Sequence, residues 1–315
     1  MKKSLLAAIG GAIAILCSSC STEPDFSQTE EIGPYTVSLI QKDVWHIEDC
    51  NSSNPSGMSV KEDGSVNMNN CSDMYIIRGR KGALLIDLSN RIQWAQGADE
   101  ALVKIFSDRA GDRQKFITIT HNHGDHTGML YAFEGDDSIS YLLPKNDFAD
   151  DSRFPAENVT LIADNDIIDL GKGTQVRCVE VAGHTPGSMV FFLMGSGLCF
   201  SGDAIGSGGG VWIFSMQAFE QYTDGVNHLM DYINNGPDNV NKSELVFWGG
   251  HDWQKLDIEK LTYQYLDDMQ TLIGQIYDGT AQSEPYSTAR AYLNANFKYG
   301  MATITWNKED SEKLQ

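Results

Sequence analysis

Basic residues are scarce in this chain. Its 315 residues hold 23 Lys and Arg against 43 Asp and Glu, a formal charge of −20. A partner recognised through a phosphate backbone needs clustered Lys and Arg, so the charge argues against nucleic acid as the main partner and leaves a small phosphodiester open. The acidity is otherwise a solubility feature and carries no conclusion about fold. Long apolar runs are also lacking. The N-terminal one, Leu5 to Leu16, is too short for a membrane-spanning helix, which needs about 20 residues. No internal repeat or low-complexity domain is present. The glycine-rich segment Gly206-Ser207-Gly208-Gly209-Gly210 lacks the Lys-Ser/Thr ending of a phosphate-cradling loop and reads as a flexible lip.

Histidine, by contrast, is concentrated. Of the chain's 7 histidines, three fall with an aspartate into the run Thr120-His121-Asn122-His123-Gly124-Asp125-His126-Thr127-Gly128. The β-branched stretch Ile117-Thr118-Ile119-Thr120 before it reads as a buried strand, so the candidate ligands sit on the turn that leaves it. Two-residue spacing lets His121 and His123 point the same way, and Gly124 and Gly128 permit a tight path. A solvated polar turn is the plain alternative. It does not account for His184 and His251, which also lie in polar turns closely after apolar strands. Nitrogen and oxygen ligands this close call for a zinc-like ion, and for two of them.

The pattern H-x-H-x-D-H resembles that of the metallo-β-lactamase superfamily. Three later segments continue the resemblance in the family's order. Gly183-His184-Thr185-Pro186-Gly187-Ser188 follows the strand-like Val176–Val181, Leu198–Ser201 ends in Gly202-Asp203, and Leu245–Gly250 ends in His251. The resemblance implies a four-layer αββα sandwich of the α+β class. It also implies a set of roles. His121, His123 and His184 would hold a first metal, Asp125, His126 and His251 a second, and Asp203 would bridge them. Two Zn2+ are expected, with Fe or Mn as alternatives. Water held between two such ions loses a proton near neutral pH and can attack a carbonyl or phosphoryl centre. Asp125 would also orient it and so serve as the catalytic residue.

Two positions depart from the family pattern. Ser89 stands where the motif Asp-x-Gly has glycine, after the strand-like Gly82–Ile86 and Asp87, and Ala182 replaces a proline before Gly183. Asp87 is either a carboxylate orienting a ligand or a structural cap. A full His/Asp set with a bridging aspartate looks more like the glyoxalase II, lactonase and phosphodiesterase branches than the β-lactamases that use a cysteine. Cys199 lies within an apolar strand and reads as packing.

Met1-Lys2-Lys3, the apolar run and Cys17-Ser18-Ser19-Cys20 resemble a bacterial lipoprotein signal. Cleavage before Cys20 would leave a lipid-anchored, exported protein, and an ordinary secretory signal is the alternative. Residues 1–19 are then signal, 20–33 a tether and 34–315 one hydrolase-like domain. In an oxidising compartment Cys50 and Cys71, flanking a Ser/Asn/Gly-rich excursion, either form a disulfide or remain free thiols, while Cys178 reads as a buried thiol. Strands are expected at Thr36–Leu39, Val44–Ile47, Met74–Arg78 and Ala83–Asp87. Helices are expected near Gln93–Ser107, Gln217–Ile233 and Ile258–Ile276, and a strand pair in Ala291–Trp306 turning near Tyr299-Gly300.

Val211, Trp212, Ile213, Phe214 and Met216 offer an apolar wall, half of which should be core. Tyr222 and Tyr292 are conceivable oxyanion donors, and His46 and His228 read as structural or surface residues. The expected activity is hydrolysis of a small ester, lactone or amide. The rivals are a β-lactam hydrolase, an iron-dependent redox enzyme, and a non-catalytic lipoprotein of the same fold. No flavin-carrying domain accompanies the cage, which disfavours a flavodiiron type.

Overall fold

A computed structural model describes residues 29–49, 71–206, 210–251, 261–288 and 290–315. The signal, Cys20, Cys50 and most of the glycine-rich lip lie outside the described residues.

Side-chain alternation builds the layers. In the strand Asp73–Arg78, Met74 and Ile76 face one way, into a core shared with Leu102, Ile105 and Phe106 of the helix Ala98–Ala110. Tyr75 and Ile77 face the other way, into a second core with Val176, Cys178, Phe191 and Phe200. Those partners belong to a second sheet, whose outward residues Val179, Val190 and Cys199 join a third core. That core is closed by Phe219 and Val226 of the helix Met216–Asn235 and by Leu266 and Met269 of Tyr263–Tyr277. Near-continuous apolar strands are what two covered faces require. The result is helix, sheet, sheet, helix: the αββα sandwich.

The first sheet has eight strands in simple chain order, from Thr29–Ile32 to Val159–Ile162. The second has five, in the order Val246–Gly249, Leu198–Gly202, Met189–Leu193, Thr174–Glu180, Ile167–Gly171. Parallel pairing places the site. Gly82–Ile86 runs parallel to Gln114–Thr118 in one sheet, and Leu198–Gly202 parallel to Val246–Gly249 in the other. Four strands therefore deliver their C-terminal loops to one edge of the sandwich.

A third, four-stranded sheet joins Val211–Trp212 to Ala302–Trp306, Ala295–Tyr299 and Ser283–Pro285. It contains the expected C-terminal strand pair, which turns at Gly300 with φ +54°. Trp306 is fully buried there and stacks on Phe219 at 4.4 Å and 9°. Trp306→Ala is expected to cost about 3–5 kcal/mol, the usual range for deleting a buried large aromatic. A shifted urea midpoint at unchanged slope would register it.

Element boundaries differ from expectation at three places. Of the helix expected from Ile258, residues 258–260 lie outside the described residues, and the helix begins at Tyr263. The helix expected from Gln93 begins at Ala98, because Gly97 at φ +75° turns the chain just before it. The tether expected through Gly33 is shorter, since Thr29–Ile32 pairs with Tyr35–Ser38 as an edge strand. Its exposed Glu30 and Glu31 give it no apolar alternation, which hid it in the sequence. Cys178 and Cys199 are buried free thiols and Cys71 is disulfide-bonded. Among the described residues no helix is long and apolar enough to cross a membrane.

Candidate metal centre

All seven sequence-predicted ligands converge at the strand ends. His121, His123 and His184 offer ligand atoms within 4.8 Å of one another, as do Asp125, His126 and His251. A third grouping, His121, His126 and Asp203, joins the two. Asp203 lies between them. Its Oδ2 is 3.5 Å from His184 Nε2, and its Oδ1 is 3.4 Å from His126 Nε2 and 3.5 Å from His251 Nε2. The carboxylate of Asp125 stands 3.5 Å from His251 Nε2. His121, His126, His184 and His251 are buried, whereas Asp125 and Asp203 keep 22% and 16% side-chain exposure and form the open side.

Backbone acceptors and carboxylates fix which imidazole nitrogen faces inward. Asp87 ends its strand at φ +66°, and that turn aims its carboxylate at the ligand run. Its Oδ2 accepts from His126 Nδ1 at 2.8 Å and from the Thr120 hydroxyl at 2.8 Å, and its Oδ1 accepts from Thr120 N–H at 2.6 Å. With its proton committed to Asp87, Thr120 Oγ1 can only accept, so His121 Nδ1, 3.0 Å away, donates to it. His184 Nδ1 donates to Trp212 O at 2.9 Å, and His251 Nδ1 to Cys71 O. Four imidazoles are thus held with Nε2 turned to the centre, the arrangement that metal-ligating histidines use.

The spacing of the inward atoms fits cations and is hard to account for by hydrogen bonds alone. His123 Nδ1 lies 3.1 Å from His121 Nε2 and 3.0 Å from His184 Nε2. Both Nε2 atoms carry lone pairs, and one N–H cannot point at both. A tetrahedral zinc with Zn–N near 2.0–2.1 Å sets its nitrogens roughly 3.3 Å apart, close to this spacing. Across the centre, His126 Nε2 and Asp203 Oδ1 are buried without a hydrogen-bond partner. A second ion would satisfy both.

Electrostatics divide the two halves. Burial, aided by the neighbouring imidazoles, lowers His121 well below the usual histidine value and lowers His123 to about 4. Burial lowers His184 too, against the pull of Asp203. In His126 burial also opposes charge, but Asp87 and Asp203 outweigh it and carry the group well above its usual value. His251 behaves likewise beside Asp203 and Asp125. For Asp203 and Asp125 burial works upward, yet the facing histidines hold both carboxyls well below the usual range. The half with three uncharged imidazoles suits a soft ion directly. The half rich in carboxylate attracts positive charge, whether proton or metal.

Neighbouring groups tie the loops together. Asp147 accepts from Asn122 N–H at 3.0 Å, Thr185 Oγ1 at 2.6 Å and Gly187 N–H at 2.7 Å, linking the His121–His126 turn to the His184 turn. Gly128 is required by crowding, since a Cβ there would meet Arg91 N at 2.1 Å, whereas Gly124 has open space and a helical backbone. The apolar wall splits by alternation. Val211 and Ile213 are core, while Phe214 packs edge-on to His123 at 5.8 Å and beside His184 at 5.7 Å. Trp212 lies 6.4 Å from Phe214, and the Arg290 guanidinium covers the Phe214 ring at 5.0 Å.

Other sequence candidates lie elsewhere. Tyr222 is fully buried and donates to Ala204 O, and Tyr292 donates to Asp310, so neither reaches the centre. His46 pairs with Asp73 against Tyr75, and the more exposed His228 pairs with Asp164. The orienting groups Thr120, Trp212 O and Cys71 O were not singled out by sequence. Two of them are backbone carbonyls, which no residue type announces.

Against known proteins, this fold has clear counterparts. A metallo-beta-lactamase from Pontibacter korlensis superposes with a TM-score of 0.54 at 17% identity, covering 76% of this chain and 99% of that one. The fold is the metallo-β-lactamase fold. Residues 72–226 match the metallo-beta-lactamase superfamily model, a span holding six of the seven converging residues and leaving His251 beyond it. Among curated relatives, the hydroxyacylglutathione hydrolase of Prochlorococcus marinus (strain MIT 9312) is 27% identical over 148 residues, 43% of this chain and 58% of that protein. The hydroxyacylglutathione hydrolase of Chromohalobacter salexigens is 30% identical over 124 residues, 39% of this chain and 46% of that protein. The chain spans about half the length of these relatives. The superfamily match ends at residue 226, before the strands Ala295–Tyr299 and Ala302–Trp306 of the third sheet.

Proposed function

We propose that the protein is an exported, lipid-anchored hydrolase that uses two zinc ions to cleave a small ester, lactone or amide. The observation that carries this reading is the set of four buried imidazoles already oriented by an acceptor at Nδ1. Such an arrangement costs conformational freedom that a mere scaffold has no need to spend. The metals, when bound, would supply Lewis acidity toward a carbonyl oxygen and lower the pKa of water. His121, His123 and His184 would hold one ion and Asp125, His126 and His251 the other, with Asp203 shared. Asp125, on the open side, would accept a hydrogen bond from the attacking water and fix its direction. Phe214 and Trp212 would exclude bulk water from one flank and bear the substrate's apolar part. Export and the anchor at Cys20 rest on the N-terminal sequence. The activity for which the two relatives are named, hydrolysis of a hydroxyacylglutathione, supports acyl chemistry in this reading.

The test is turnover by zinc-loaded protein across matched lactone, carboxylic ester, thioester, β-lactam and phosphodiester substrates, with chelated protein alongside. Turnover of an acyl class, lost on chelation, is the expected result. Turnover confined to the phosphodiester, or none with two ions bound, would sink the assignment, and turnover confined to the β-lactam would replace it with a β-lactam hydrolase. Phe214→Ala should raise KM roughly tenfold at unchanged zinc content, because it removes a ring that substrate and transition state share equally.

A further inference from the structure

The departure from the family pattern at Ser89 leads to a second tier of the site. Ser89 sits at φ +57°, a backbone setting that glycine adopts freely and serine does not. Its hydroxyl donates to Asp49 Oδ2 at 2.7 Å. The same oxygen accepts from Asn90 N–H at 3.2 Å and from Asn90 Nδ2 at 3.0 Å. Asp49 Oδ1 accepts from Ser72 N–H at 2.7 Å, and Asp49 N–H donates to Ser72 O at 3.1 Å. Asn90 Nδ2 also reaches Ser72 Oγ at 2.9 Å. Asp49 is 3% exposed, so these contacts operate away from water.

Each segment gripped by Asp49 carries an acceptor that orients a histidine of the same cluster. Cys71, next to Ser72, supplies the carbonyl for His251 Nδ1. Asp87, two residues before Ser89, supplies the carboxylate for His126 Nδ1, and Leu88 N–H donates to His126 O at 2.8 Å. Asp73 N–H, on the far side of Ser72, donates to Gly250 O beside His251 at 2.7 Å. The first cluster depends on this carboxylate less, because His184 takes its orientation from Trp212 O and His121 reaches Asp87 only by way of the Thr120 hydroxyl. We propose that Asp49, through Ser89, Asn90 and Ser72, is a positioning residue for the second metal site, setting the spacing between His126 and His251. Ser89 then replaces glycine because its hydroxyl closes this link, which offsets its backbone strain.

The inference rests on the two-metal reading above, and the experiment separates the two. Metal-free protein, Asp49→Asn and Ser89→Gly are titrated with Co2+ by visible absorbance and with Zn2+ against a chromophoric chelator. Wild type should take up two ions in resolvable steps. Both variants should bind the second ion 10–100-fold more weakly, the usual scale for losing a group behind a ligand. Their first step should change less than about threefold, well below that range. Ser89→Gly should also keep or raise the thermal midpoint of metal-free protein, since it relieves the positive φ. That variant guards against Asp49→Asn simply failing to fold. Two ions bound with wild-type affinity by Ser89→Gly and by folded Asp49→Asn would overturn this inference alone. Equal weakening of both steps would also overturn it, by marking a general structural role. Fewer than two ions bound by wild type would overturn the metal reading and this inference together.

Discussion

Asp203→Ala is expected to lower kcat/KM by on the order of a thousandfold, the scale of removing a group that acts directly on the reacting centre. Among the described residues, Asp203 is the side chain that faces both halves, with one oxygen toward His184 and the other toward His126 and His251. Without it each half keeps three donors, but nothing fixes the distance between the ions they hold. The carboxylate also accounts for much of the pull on His126 and His251, so its loss removes the negative field that favours a second cation. Zinc content should fall from two per chain toward one, and the circular dichroism spectrum should not change. Wild-type turnover with two ions bound would show that the bridge is not needed.

Asp87→Ala is expected to cost the metal-free protein about 3–5 kcal/mol, the range for breaking a buried charged network on one side. The carboxylate is 1% exposed and accepts from Thr120 N–H, Thr120 Oγ1 and His126 Nδ1. Alanine would leave all three donors buried without partners, at φ +66°, a setting that aspartate tolerates better than alanine. His126 would lose its fixed tautomer directly, and His121 would lose its own through Thr120. Metal affinity should therefore fall 10–100-fold besides the loss of stability. Asp87→Asn separates the two effects. Asparagine tolerates the left-handed backbone and should fold, yet its amide cannot accept from all three donors, so metal binding should still weaken. Denaturant titration and chelator competition on both variants read the two quantities independently. Equal metal affinity in Asp87→Asn and wild type would reduce Asp87 to a structural cap.

Much of this architecture is legible in the sequence, for identifiable reasons. Each converging residue follows an apolar strand, and strand ends in a two-sheet sandwich are where loops meet, so the runs around His121, His184, Asp203 and His251 announce themselves. Alternating apolar positions in Val176–Val181 mark a strand in the sequence, and the near-continuous apolar run in Asp73–Arg78 is what a sheet covered on both faces requires. What the chain hides is the layer behind the ligands. Trp212 O and Cys71 O act through the backbone, and Asp49 reads as one more acid before a polar excursion. The link from Asp49 to Ser89 spans 40 residues and exists only once the first sheet has brought the strands Val44–Glu48, Asp73–Arg78 and Gly82–Ile86 side by side. Ser89 itself was legible as a departure, but its compensation was not. Tyr222 and Tyr292 misled for the converse reason, because a hydroxyl in sequence does not reveal that a carbonyl or carboxylate has already taken its proton.

Anomalous diffraction at the zinc edge, from crystals of the metal-loaded protein, tests the central claim most directly. Two peaks per chain are expected, one among His121, His123 and His184 and one among Asp125, His126 and His251, with the Asp203 carboxylate between them. A single peak, or a peak away from these seven side chains, would contradict the account.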